Sequence, residues 1–243
     1  LISESAWEEM TCLFAPSLAE LIDKKRSGWH SVKQWLQEAS NSYEVLPCNL
    51  AQARADLHQL QITTFSPLGA ISYETGGILI DNGWLRILGS GHTRLSRSLA
   101  SWTQLVTAGQ TFQALLIADD ASGGFFALNG GELGKDLGGI YYFAPDTLEW
   151  ESLDTHYSGF LHWALCGDLD LFYKNVRWTG WREEMALMNC NLVYSFYPFL
   201  WTEQQLSVEK RSRSTIPVEK HWALCLDLQH QLTNMQSDDL LPP

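Results

Sequence analysis

Apolar residues recur at helical spacing through the first quarter of the chain. Trp7, Met10, Phe14, Leu18 and Leu21 step by three and four, which predicts helix over 4–25, broken or ended at Pro16. Ser31 and Gln34 have capping-box spacing, and Val32, Trp35, Leu36 and Ala39 form one face of a second helix that stops at Asn41-Ser42. A short extended piece, Tyr43–Leu46, ends at Pro47. Asn49 then caps a third helix with Leu50, Ala53, Leu57 and Leu60 on one side. His58, on that helix, reads as a surface or packed residue.

The pattern turns to strands after Gln61. Leu68–Glu74 reads as a Gly-containing β segment. Ile78–Ile80 and Trp84–Leu88 flank Asp81-Asn82-Gly83, a strong hairpin signal because such turns need positive φ. Leu95–Val106 predicts a short amphipathic helix. Three apolar runs follow, Ala114–Ala118, Phe125–Leu128 and Ile140–Phe143, separated by Asp119–Gly124 and by the Gly-rich Asn129–Gly139; they predict a meander. Trp150–Leu153 adds an extended piece, and Tyr157–Cys166 a helix closed by Gly167, with Asp168 capping the next. Arg182–Met188 reads as helix, Leu192–Phe196 as strand, and Ser207–Thr215 as a strand edge or loop. Pro217 fits the first position of a final helix carrying Val218, Trp222, Cys225, Leu226 and Leu232, with a frayed tail from Thr233. The expected fold is therefore a single α+β domain over 1–243: N-terminal helices, a central, mostly antiparallel sheet from about 68 to 155, covering helices, and a C-terminal helical extension over 174–243.

Charge changes this picture more than composition does. The 243 residues carry a net charge of −12. Residues 113–173 hold ten acids against Lys135 alone, whereas 1–112 and 174–222 are close to balanced. Such a concentration is either a solvating face or a surface for a basic partner. Nucleic acid is disfavoured, since the one basic cluster, Lys210-Arg211-Ser212-Arg213, is short. The five cysteines are odd in number and lack CxxC spacing, so reduced thiols in a cytoplasmic protein are expected, with no disulfide framework or zinc ribbon. No apolar run is long enough for a membrane helix, and LISESAWEEM lacks the basic start of a signal peptide.

Candidate chemistry is sparse. Asp119-Asp120 is the best pair for a metal or acid–base role, yet Asp before Ser-Gly-Gly is also ordinary turn chemistry. Glu149 and Glu151 flank Trp150, so an extended segment puts both carboxylates on one face; two exposed acids explain that as well as a catalytic pair does. His162 and Cys166, four apart on one helix, have the spacing of a thiol–imidazole pair, although an apolar helix favours inert packing. Gly89-Ser90-Gly91-His92-Thr93-Arg94 follows a strand as phosphate loops do, but lacks GxGxxG and the P-loop lysine. No GxSxG or HExxH is present. Neither a metal nor a cofactor is expected.

The stretch LLIADD, then FFALN, then IYYFAPDTLEWESL, then Tyr157-Ser158-Gly159-Phe160-Leu161 resembles the SUKH superfamily of Syd-like and yeast cell-wall-regulator-like domains. That likeness spans about 30–173. Nearly the whole chain, through phrases such as SPLGAISYETGGILIDNGWLRILGSG, GGFFALNGGELG, RWTGW and YPFLW, resembles an uncharacterised bacterial family of unknown function. The SUKH resemblance implies a non-enzymatic recognition domain, and many bacterial members are immunity proteins that neutralise a toxin, often a nuclease. It carries over no catalytic residue. On this reading the contact acids are Asp119, Asp120, Glu132, Asp136, Glu149 and Glu151, facing a basic protein. The alternative is an enzyme or small-ligand protein with a site near Tyr73, Glu74, His92 and Asp119. A third reading is a homo-oligomeric scaffold built on the Trp-rich C-terminal segment.

Overall fold

Seven strands follow one another in space in the order they occur in the chain. In the computed structural model, which describes residues 16–107, 113–202 and 206–238, they form one antiparallel sheet. The strands are β1 (Tyr43–Pro47), β2 (Thr75–Ile80), β3 (Leu85–Leu88), β4 (Ala114–Asp120), β5 (Phe125–Asn129), β6 (Gly139–Ala144) and β7 (Glu149–His156). Strands β8 (Leu192–Tyr197) and β9 (Ser212–Pro217) make a separate antiparallel pair. The helices are α1 (Leu18–Leu21), α2 (Trp29–Glu38), α3 (Leu50–Leu60), α4 (Pro67–Glu74), α5 (Leu99–Thr107), α6 (Tyr157–Cys166), α7 (Leu169–Phe172), α8 (Trp181–Leu187) and α9 (Val218–Asp238). The α+β class and the C-terminal helix match the expectation. None of the described helices is long and apolar enough to cross a membrane.

The sheet is covered on both faces, and two adjacent phenylalanines show how. Successive side chains on a strand point to opposite faces. Phe125 meets Trp102 of α5 and Trp222 of α9, at ring-centroid distances of 6.2 and 4.8 Å. Its neighbour Phe126 meets Phe160 of α6 at 5.0 Å and Phe172 of α7 at 6.4 Å. Burial on both faces explains why β2, β3 and β6 are buried at every position, with Arg86 the one charged residue among them. One hydrophobic cluster runs from Val32 to Cys225, so residues beyond 174 share the core of the sheet.

Several boundaries move. Leu68–Glu74, expected as β, is helix α4. Ser66 Oγ accepts the Gly69 N–H at 3.1 Å, and Pro67 occupies the first turn. Leu68 to Tyr73 are all buried, so the helix shows no polar face and its period is invisible. Gly69 lies against the Thr63 carbonyl, where a Cβ would collide. The β2–β3 connection is a four-residue loop in which Asp81, Asn82 and Gly83 all have positive φ (50°, 58° and 79°). Helix α5 starts at Leu99 rather than Leu95, β7 extends to His156, and Pro217 ends β9 instead of opening α9. Of the helix expected over 4–25, only Leu18–Leu21 is helical among the described residues; 1–15 lie outside them.

Candidate functional site

The two acids that looked paired in sequence are separated by the strand that carries them. Strand β4 continues through Asp120, so alternation sends Asp119 and Asp120 to opposite faces. Both are fully buried. They therefore do not lie on a surface where a partner could meet them, and they do not share a site.

Asp119 sits directly opposite Arg86 in the β3–β4 register. Its Oδ1 accepts from Arg86 Nη1 at 3.3 Å, and its Oδ2 accepts from Arg97 Nη2 at 2.7 Å and Nε at 3.1 Å. Each arginine then reaches the C-terminal segment. Arg86 Nη1 donates to the Leu192 carbonyl at 2.8 Å; Arg97 donates to the Cys190 carbonyl at 3.1 Å and to Asn191 Oδ1 at 3.2 Å. Burial pushes the Arg86 guanidinium below its ordinary range, and the Asp119 charge opposes that. Asp120 faces the other side. Its Oδ1 accepts from Ser122 N and Oγ and from Gly124 N, and its Oδ2 from the Tyr142 hydroxyl at 2.8 Å. Burial raises the Asp120 carboxyl above the ordinary range. Both carboxylates are saturated by structural partners, which leaves them no role as open ligands or proton carriers.

The other sequence-nominated acids are on the surface. Glu132, Asp136, Glu149 and Glu151 are exposed, joined by Asp146 and Asp154. Asp136 accepts from the Tyr141 hydroxyl at 2.6 Å, which holds its carboxyl below the usual range. Glu149 and Glu151 project outward from β7 while Trp150 packs inward, 5.2 Å from Phe143 and 6.3 Å from Trp222. Strand β7 is an end strand of the sheet, so its outer edge has no strand partner among the described residues.

The alternative ligand set is brought together in part. His92 lines an open cleft of about 600 Å³ whose walls include the polar residues Gln52, Ser90, Ser98 and Ser101. Tyr73 packs beneath α3 against Ala53 and Leu57, and Glu74 is close enough to Cys48, another lining residue, to act on its thiol. Asp119 is locked in the arginine clamp and does not belong to this site.

His162 is exposed, and the Cys166 thiol points to the Glu38 carbonyl at 3.6 Å. The same four-residue spacing recurs at His221 and Cys225 on α9, where Nε2 and Sγ are 3.4 Å apart. Burial pushes that imidazole down to about 4 and that thiol up to about 12, so both are neutral at pH 7 and the pair is not nucleophilic. His221 instead ties α9 to the acidic turn. Its ring stacks on Phe125, and its Nε2 lies 3.2 Å from the Gly123 carbonyl. Sequence reasoning missed this contact; the only signal was the i, i+4 spacing.

Comparison with known proteins places the chain. Residues 18–221 match a family described as "Protein of unknown function DUF2625". A "Putative uncharacterized protein YbfG" of Escherichia coli K12 is 49% identical over 214 residues, covering 88% of this chain and 97% of that protein. An "Uncharacterized protein" of Haemophilus influenzae Rd is 39% identical over 209 residues, covering 85% and 92%. No solved structure matches. The chain belongs to the DUF2625 family of bacterial proteins of unknown function.

Proposed function

We propose that this protein is a non-enzymatic binding module that captures a basic protein through the acidic edge of its sheet. In the SUKH-like, immunity-type form of the reading, the partner is a cytoplasmic toxin such as a nuclease. The observation that supports it is the placement of charge around β7. Glu149, Glu151 and Asp154 are exposed on that strand, Glu132, Asp136 and Asp146 on the preceding loops, and Lys135 is the one base between 113 and 173.

An end strand offers unpaired backbone N–H and C=O groups, and acids along it repel further copies of the same edge. The same acids attract a cationic segment. Such a segment gains main-chain hydrogen bonds by lying alongside β7 and charge complementarity from its flanking carboxylates. Long-range attraction of this kind raises the association rate and weakens with salt.

The test is a tagged pull-down from a lysate of the native host, eluted with a salt gradient and read by mass spectrometry. The control is the triple variant Glu132→Lys, Glu149→Lys, Glu151→Lys. The expected outcome is one stoichiometric basic protein held by the wild type, released at moderate salt and absent from the variant. Equal capture by the two would remove the acidic edge from the interface.

A further inference from the structure

The molecule contains a buried carboxyl that its own fold leaves half-satisfied. Asp56, on α3, is fully buried. Its Oδ1 accepts from Gln52 Nε2 at 2.7 Å, while its Oδ2 has no hydrogen-bond partner. The buried acids Asp119 and Asp120 have partners on both oxygens, so Asp56 stands apart from them. An uncompensated buried carboxylate is costly unless something pairs with it.

The two polar side chains that act on Asp56, Gln52 and Ser98, are both wall residues of the cleft of about 600 Å³. Asp56 therefore lies directly behind that wall. Burial raises its carboxyl above the ordinary range, partly offset by Gln52 and Ser98. Gln52 is itself exposed, so the group covering Asp56 is a side chain at the surface of α3.

The chemistry of the cleft selects the sign of its ligand. No lysine or arginine lines it. Arg94 is turned to Glu44 at 2.6 Å, and Arg97 is held by Asp119. The charge of Glu74 reaches the cleft, where, after burial, it is the next cause that raises the Cys48 thiol. His92 Nδ1 accepts the Arg94 N–H at 3.2 Å. Phosphate, the ligand that the Gly89–Arg94 loop suggests, finds no cation here. A ligand carrying hydrogen-bond donors and a positive charge finds the hydroxyls of Ser98 and Ser101 and, behind the Gln52 amide, the Asp56 carboxyl.

We propose that this cleft is a binding site for a small primary amine, whose ammonium group displaces the Gln52 amide and pairs with Asp56. An ammonium has three donors, and Asp56 Oδ2, Asp56 Oδ1 and Ser98 Oγ supply three acceptors. The site is independent of the acidic edge of β7 and does not require the protein-binding reading.

The test is an amide NMR titration of the full chain with ethylamine, and separately with n-propanol and with inorganic phosphate. The expected result is a saturable shift confined to Gln52, Asp56 and residues 90–101, with propanol and phosphate binding at least about tenfold more weakly. In Asp56→Asn, which keeps the shape and removes the charge, ethylamine affinity falls by at least about tenfold. Gln52→Ala, which uncovers the carboxyl, keeps or strengthens binding. Equal affinity for ethylamine and propanol in the wild type overturns the proposal even if Asp56→Asn does not fold. So does a stronger response to phosphate, or a shift unchanged in Asp56→Asn.

Discussion

Arg97 Nη2 lies 2.7 Å from Asp119 Oδ2, and both side chains are buried. With Arg86 on the other oxygen, one carboxylate holds two guanidiniums, and these in turn hold the carbonyls of Cys190 and Leu192. The clamp fastens the start of β8 and the residues just before it to the centre of the sheet. Asp119→Asn removes the charge and leaves two buried arginines facing each other. The expected cost is about 3–5 kcal/mol by urea denaturation, in the range for breaking a buried ion pair. Glu149→Gln, in the same acidic quarter but exposed, is expected to change stability by no more than about 0.5 kcal/mol.

His221 makes stability depend on pH in a defined direction. Its imidazole is held at about 4 in the folded protein against an ordinary 6.5. The unfolded chain therefore binds this proton first. The stability His221 contributes is complete above 6.5 and is lost as pH falls from about 6.5 towards about 4. The loss approaches roughly 3 kcal/mol at the lower limit. Denaturation of wild type and His221→Gln at a series of pH values checks this: the difference between the two should shrink as pH falls through that window.

Gly123 is the point where the acidic turn meets α9. Its φ is +93°, and a Cβ there would collide with His221 Nε2. Gly123→Ala is therefore strained in both backbone and packing. A loss of about 2 kcal/mol or more is expected in thermal or chemical unfolding. Restoring space with His221→Ala should recover part of it, as a double-mutant cycle would show.

Arg177 anchors a second cluster. Its guanidinium lies 3.9 Å from the Trp181 ring centroid and 4.8 Å from that of Trp84, and it pairs with Asp81 and Asp170 at 2.7 Å each. Arg177→Met keeps much of the volume but leaves Asp81, at the tip of the β2–β3 loop, without this partner. A cost of about 2–4 kcal/mol is expected, with a change in Trp fluorescence. Arg177→Lys should recover only part, because an ammonium cannot stack and fork at once.

Much of this was legible in the chain. The hairpin at Asp81–Gly83, the meander from Ala114 to Phe143 and the helix at Tyr157–Cys166 each carry a local signal, in turn residues or periodicity. Helix α4 was not legible, because a helix buried all round shows no amphipathic period; only Ser66-Pro67 marked its start. The acids divide for a similar reason. Glu149 and Glu151 alternate with Trp150 and so read correctly as an outward face. Asp119 and Asp120 look like a turn, but Asp119 is buried against Arg86 and Arg97, 33 and 22 residues away in sequence, and Asp120 against Tyr142 on the opposite face, 22 residues on. Asp56 gave no sign at all, since nothing in its neighbourhood distinguishes a buried acid on a helix from a solvated one.

The central claim is that β7 and its acidic flanks form the contact surface. Hydrogen–deuterium exchange of the captured complex against the free protein tests this most directly. The account predicts new protection of amides over 149–156 and 132–136, lost when salt disrupts the complex. Protection confined to the cleft around His92 or to the C-terminal segment, with exchange at β7 unchanged, would contradict it.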